Sequence, residues 1–153
     1  MEELDALSGE KGIHMLDLST EWGQHAEQRL HSDKIAWLTT VGSDGRPYTV
    51  PVWFLWEGNS VLFFSQPHKQ KVRNLRKNGR VTLALDDTKG GDDVVIVEGT
   101  AELLDDPALS MRMPTYVEKY EAMMQDIGYT PESIAAEFSL VFRITPTKIR
   151  SWA

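Results

Sequence analysis

The sequence contains no cysteine, so disulfides, thiolate metal sites and thiol nucleophiles are excluded together. It has no run near the roughly 20 apolar residues needed to cross a bilayer, and Met1 to Leu18 carries acids where a secretory leader has a basic start and an apolar stretch. These absences predict a cytoplasmic protein without a membrane span. No Gly-x-Ser-x-Gly or Walker pattern occurs, and His14, His25, His31 and His68 form no i, i+4 ligand pair and share no spacing with a carboxylate cluster. Hydrolase, nucleoside triphosphatase and metal-centre readings are therefore poor.

What is present is an ordinary globular composition, 41% hydrophobic and 25% charged over 153 residues, a length that suits one domain. The net charge of −7 is distributed unevenly. Gln66 to Arg80 reads QPHKQKVRNLRKNGR, with six Lys or Arg and no acid, so taking these six charges away leaves the remainder at −13. An acidic body repels nucleic acid and anionic lipid on average, and any anion site has to be this local concentration of positive charge.

The first 18 residues are polar and without sustained period, which predicts a flexible tail ahead of a single domain over 19–153. Ser19 or Thr20 caps a helix with Trp22, Ala26 and Leu30 on one side. Strand-like runs follow at Ile35 to Val41, Pro47 to Trp56 and Ser60 to Phe64, separated by turns at Gly42-Ser43-Asp44-Gly45 and Glu57-Gly58-Asn59. Beyond the basic segment, which has helical character, Val81 to Leu85 and Val94 to Leu104 resume the sheet. Thr115 to Ile127 places Tyr116, Tyr120, Met123, Met124 and Ile127 at helical spacing, and Thr130-Pro131-Glu132 opens another helix. Leu140 to Ile144 and Lys148 to Trp152 read as two closing strands. Strands joined mostly as hairpins favour a mainly β protein, an antiparallel barrel with peripheral helices, over a parallel α/β sheet.

The candidate site is the passage from strand to helix at Phe64 to Leu75. Pro67 fits a first helical turn, and free amides, the helix dipole, the Ser65 hydroxyl and the Lys71 ammonium could converge on one phosphate. Val72 and Leu75 can face the core, Lys69, Arg73 and Arg76 form an outward stripe, and Lys71 with Asn74 occupies a flank. A lysine-rich, solvated surface helix accounts for the same charges. A flat cofactor needs an apolar wall beside its anion anchor, and Thr49, Val50, Pro51, Val52 and Trp53 could supply one. Pro51 removes a ladder donor, as at an edge strand, a bulge or a ligand contact. The aromatics Trp53, Phe54, Trp56, Phe63 and Phe64 are more often core or dimer contacts than cofactor stackers.

The stretches IAWLTTVGSDGRPYTVPVWFLW, VLFFSQPHKQKVRNLRKNGRVTLAL and VVIVEGTAELL resemble the pyridoxamine 5′-phosphate oxidase-like split β-barrel superfamily. The C-terminal EKYEAMMQDIGYTPESIAAEFSLVFRITPTKIRSW is similar to an actinobacterial branch of deazaflavin (coenzyme F420) dependent enzymes. The resemblance spans roughly Ile35 to Trp152 and implies a homodimeric split barrel with cofactor sites in the grooves between subunits. It implies that Ser65 and Lys71 contact the cofactor phosphate, that Val50, Pro51, Val52 and Trp53 line the ring system, and that Lys69 and Arg73 assist the anion site. Asn74 belongs to the matching Lys-Val-x-Asn-Leu motif, and Trp152 on the last strand is a contributor from the partner subunit. The expected activity is hydride transfer between coenzyme F420 and a small-molecule acceptor. An FMN-dependent oxidase or reductase, and a non-catalytic cofactor or tetrapyrrole binder, stand as alternatives; no nucleic-acid or membrane partner is expected.

Overall fold

The computed structural model describes residues 16–86, 90–105 and 109–152. In chain order the elements are α1 (Glu21–Ser32), β1 (Ala36–Val41), β2 (Pro47–Val52), β3 (Phe54–Trp56), β4 (Val61–Ser65), α2 (Gln70–Lys77), β5 (Arg80–Leu85), β6 (Val94–Leu104), α3 (Leu109–Asp126), α4 (Pro131–Glu137) and β7 (Leu140–Trp152). Most of the tail expected over 1–18 lies outside the described residues. From Leu16, which is buried in the main core, the chain belongs to the fold.

The strands make one seven-stranded sheet in the order β2-β1-β5-β6-β7-β4-β3, every pair antiparallel. Its two edge strands, β2 and β3, are separated in the chain by Trp53 alone. Val52 and Phe54 are at most about 7 Å apart along the backbone, so the two edges of the sheet have to meet. That forces the sheet to curl into the half-barrel of a split β-barrel. The single strand expected over Pro47 to Trp56 is thus two, broken at Trp53.

Side chains alternate across the curled sheet. Ala36, Leu38 and Thr40 of β1 point in, and Val81, Leu83 and Leu85 of β5 do the same. They meet Phe54, Phe63, Val97, Phe142, Ile144 and Ile149 in the barrel core, where Phe63 and Phe142 stack at 5.2 Å. β4 is buried on both faces because α3 and α4 cover its outer side, where Leu62, Phe64, Tyr116, Tyr120, Met124 and Ile134 form a second core. This double burial is the reason its sequence is a continuous apolar run with no polar alternation.

Helix α1 closes one end of the barrel. The Thr20 hydroxyl accepts from the Gly23 N–H at 3.0 Å as its cap, and Ala26 and Leu30 are buried. The buried Arg29 guanidinium joins it to the sheet, donating to the Asp33 carboxylate at 2.6 Å, the Asp86 carbonyl at 2.7 Å and the Asp93 carboxylate at 3.1 Å. Helix α3 starts before the expected Thr115 and runs through Pro114, a residue that sequence reasoning takes as a boundary. Helix α4 carries the expected cap as a reciprocal box between Thr130 and Ser133, with Pro131 in its first turn.

The last strand differs from expectation: Leu140 to Trp152 is continuous and pairs with β6 along its length. Pro146 has no N–H for the ladder, and the register slips there, Glu98 facing Lys148 and Gly99 facing Pro146. Thr147 is left over as a bulge, its hydroxyl donating to the Glu98 carbonyl at 3.2 Å. The strands close in at this point, so that a Cβ on Gly99 would lie 2.3 Å from the Thr145 carbonyl oxygen. Gly99→Ala is expected to destabilise the protein by about 1–3 kcal/mol, the range for overpacking, as a lower urea midpoint.

Candidate functional site

The break at Trp53 opens one wall of a cleft of about 290 Å³. Pro51 and Val52 come from the end of edge strand β2, Trp53 from the break that follows it, and Phe64 from the outer face of β4. Tyr116 of α3, Ile134 of α4 and Phe138 at the C-cap of α4 form the opposite side, Ile35 and Ile127 its margins. Lys71, from the first turn of α2, is the one charged residue among the described lining. Trp53 is fixed in this wall by stacking on Tyr120, the ring centres 4.7 Å apart and the planes within 4°.

Two other concavities differ in kind. A groove of about 430 Å³ near α1 is lined by His25, Arg29, Asp33 and Asp93, but these charges pair with one another. Another of about 330 Å³ lies on the outer face of the sheet among Thr39, Thr82, Thr100 and Glu98. Of these three, the cleft at Trp53 is the one that combines an aromatic wall with a cation that has no partner among the described residues.

The electrostatics around Lys71 are unfavourable in the protein alone. Its ammonium is half-buried, and among the described residues no carboxylate or carbonyl lies within hydrogen-bonding reach. Burial pulls its pKa below the usual lysine value, and the neighbouring Lys69 adds to the effect. Lys69 is the N-cap of α2 but makes no side-chain cap bond, and the first turn contains no acid. Helix N-termini favour negative charge, yet this one has two lysines. A bound anion relieves every one of these strains.

The chain approaches α2 through a tight turn. His68 has φ of 69°, a left-handed conformation that favours glycine, and its carbonyl accepts from the Arg73 guanidinium at 2.9 Å. Pro67 precedes the N-cap and so lies in this turn rather than in the first turn of the helix. Ser65, at the end of β4, is fully buried, and its hydroxyl donates to the Gln66 carbonyl at 2.8 Å.

Of the residues singled out from sequence, Pro51, Val52, Trp53 and Lys71 come together in the cleft. Val50 is exposed on β2 next to them, and Lys69 and Arg73 are exposed on α2. Asn74 is buried: its amide donates to the Thr40 hydroxyl at 2.9 Å and its carbonyl accepts from Gln70 at 2.8 Å, which docks α2 onto β1. Trp152 sits at the end of β7, opposite Val94, with its indole N–H donating to the Gly91 carbonyl at 3.2 Å, outside the cleft lining. Sequence reasoning missed the far wall. The helical spacing of Tyr116, Tyr120 and Met124 marked a buried face without revealing that Tyr116 also borders a cavity.

A family model described as pyridoxamine 5′-phosphate oxidase matches residues 23–153. The chain belongs to the pyridoxamine 5′-phosphate oxidase family. Among solved structures, a conserved hypothetical protein of Mycobacterium tuberculosis is similar with a TM-score of 0.68 at 26% identity, covering 87% of this chain and 84% of that one. A protein named F420 reductase superposes with a TM-score of 0.64 at 23% identity over 81% of this chain and 94% of its own. The heme storage protein HutZ of Vibrio cholerae shares the fold at 17% identity, with a TM-score of 0.64 and coverage of 84% and 91%. No curated protein matches the sequence. The pyridoxamine 5′-phosphate oxidase fold therefore extends across structures whose names indicate different ligands, and the cleft's own chemistry has to distinguish among them.

The left-handed turn ahead of Lys71 gives a direct test of local geometry. His68→Val is expected to lower stability by roughly 1–2 kcal/mol, since a β-branched residue resists positive φ. His68→Gly is expected to stay within about 1 kcal/mol of the parent. Thermal melting of the two variants side by side checks both.

Proposed function

We propose that this chain is an oxidoreductase that binds the deazaflavin coenzyme F420 in the cleft at Trp53 and passes a hydride to a small-molecule acceptor. The observation that carries the reading is Lys71, a half-buried ammonium without a protein partner among the described residues, set in an aromatic and aliphatic cleft. That pairing of one anchored cation with an apolar wall suits a flat ring bearing a phosphate. A coenzyme bound there supplies the redox chemistry itself, and the protein's residues bind, orient and exclude water.

The exposed Lys69, Arg76 and Lys77, which have no acid partners among the described residues, continue the positive charge along α2. They favour a ligand with an extended anionic tail, and for that reason F420 ranks ahead of FMN, whose phosphate satisfies Lys71 equally well. The structural neighbour named F420 reductase supports the same order. The neighbour named heme storage protein keeps a non-catalytic tetrapyrrole binder as the second reading.

The homodimer typical of the family is part of this proposal, as is a cytoplasmic location; no helix among the described residues is long and apolar enough to cross a membrane. Trp37, in register with Pro51, is 41% exposed beside the cleft wall, a surface suited to a second copy of the chain. A cavity of about 290 Å³ is at the lower limit for a ligand site, which fits a groove that a partner subunit completes.

Fluorescence titration of the purified protein with F420 and with FMN tests the assignment. Lys71→Gln is expected to weaken the preferred cofactor by about 1.5–3 kcal/mol, the value of a charge-assisted hydrogen bond, or roughly ten- to a hundredfold in Kd. Lys77→Gln is expected to cost less than about 1 kcal/mol, as an exposed contact. Equal losses in the two variants would contradict the anchor, and tight binding without turnover of reduced cofactor would favour the second reading.

A further inference from the structure

Strand β3 is an edge of the sheet, and an edge strand leaves a row of backbone groups without ladder partners. At Phe54 these groups are taken by side chains of α3. The Phe54 N–H donates to the Tyr120 hydroxyl at 2.9 Å, and the Phe54 carbonyl accepts from the Lys119 ammonium at 2.9 Å. Lys119 also stands 3.9 Å from the centre of the Phe54 ring, a cation–π contact. The Tyr120 hydroxyl donates in turn to the Lys34 carbonyl at 2.7 Å, and the Lys34 ammonium donates to the Lys119 carbonyl. Two adjacent residues of one helix thus hold both backbone groups of Phe54, while the Tyr120 ring lies flat on the preceding Trp53.

We propose that Lys119 and Tyr120 are positioning residues that set the orientation of Trp53 in the cleft and thereby its fit to a ring ligand. The part concerning a ring ligand rests on the functional reading above; the part concerning Trp53 stands on the geometry alone. Neither side chain lines the cleft, so each acts through Trp53. Tyr120 fixes the plane of the indole by stacking and, through the Phe54 N–H, the peptide that joins Trp53 to Phe54, while Lys119 holds the next peptide through the Phe54 carbonyl.

The clamp is also sensitive to pH. Burial, with a contribution from Lys34 and against an opposing one from Asp33, pulls the Lys119 amine from 10.5 down to about 8. Lys34 and Asp33, from the link between α1 and β1, and Tyr120 beside it on α3 are the titratable groups facing it; β3 contributes the Phe54 carbonyl and ring. Below about pH 8 the ammonium holds the Phe54 carbonyl and ring, and above it the cation–π contact is lost. Between about 8 and 10.5 the unfolded chain binds the additional proton, so this group makes the fold more stable as pH rises through that window. The clamp therefore loosens locally while global stability does not fall on its account, which separates a positioning effect from partial unfolding.

The test is the emission of Trp53, taken at each pH as the difference between a protein and its Trp53→Phe counterpart, with no ligand present. A step near pH 8 is expected in the parent, absent in Lys119→Arg and Lys119→Met, and retained in Lys71→Met, whose parent lysine borders the same cleft. Tyr120→Phe is expected to shift the emission at every pH, and melting curves show which variants are folded. No step in the parent, a step that persists in Lys119→Met or disappears in Lys71→Met, or an emission unmoved by Tyr120→Phe overturns the proposal. A second arm measures FMN and F420 affinity at pH 7 and 9. Loss of affinity in Lys119→Met at pH 7 supports the link to the ligand, and unchanged affinity overturns it. Failure of the parent to bind either cofactor removes the cofactor reading, and the emission result then decides the positioning of Trp53 by itself.

Discussion

The structure depends on closure of the sheet at a single residue. Because β2 and β3 are consecutive in the chain and sit at opposite edges, the barrel can close only where Trp53 breaks the strand. Continuous pairing is impossible there, and the backbone of Phe54 turns to Tyr120 and Lys119 for its hydrogen bonds. Closure thus brings α3 onto the sheet, and with it Tyr116 and, through the α3 to α4 turn, Ile134 and Phe138. The cleft is a product of the topology: a barrel closed by continuous pairing would have no gap at this position.

The second constraint is electrostatic. A helix with lysines at its start, no cap and no early acid is a local arrangement that costs stability. Local choices in natural sequences usually agree with the fold, and disagreements cluster at functional sites. Here the disagreement lies at the edge of the largely apolar cleft, where Lys71 is drawn partly out of water without a partner among the described residues. The positive φ of His68 in the adjoining turn adds strain to the same segment. Packing alone rewards neither feature, and a bound anion compensates for both lysines.

Much of this was legible from the sequence, for identifiable reasons. The β-branched and aromatic runs marked the strands, the turn residues marked the hairpins, and the cluster of six basic residues isolated α2. Pro51 left an edge strand, a bulge and a ligand contact open, and it lies on the edge strand β2. The break at Trp53 was not legible, since Val52, Trp53 and Phe54 all have high β propensity and only the requirement of closure interrupts them. Pro146 masked the continuity of β7, because the bulge that accommodates it depends on Gly99 of another strand. Asn74 looked like a flank residue, yet its amide is committed to Thr40, a contact between residues far apart in sequence. The far wall of the cleft was illegible for the same reason: Tyr116 and Phe138 reach it only through the packing of α3 and α4 on β4.

The central proposal is that one half-buried cation, Lys71, holds a phosphoryl group beside Trp53. The most direct measurement is a crystal structure of the protein grown with F420 and, separately, with FMN. The account predicts phosphate oxygens at about 2.7–2.9 Å from the Lys71 ammonium, with the ring system against Pro51, Val52 and Trp53. A ring bound elsewhere, or a phosphate held without Lys71, would contradict it.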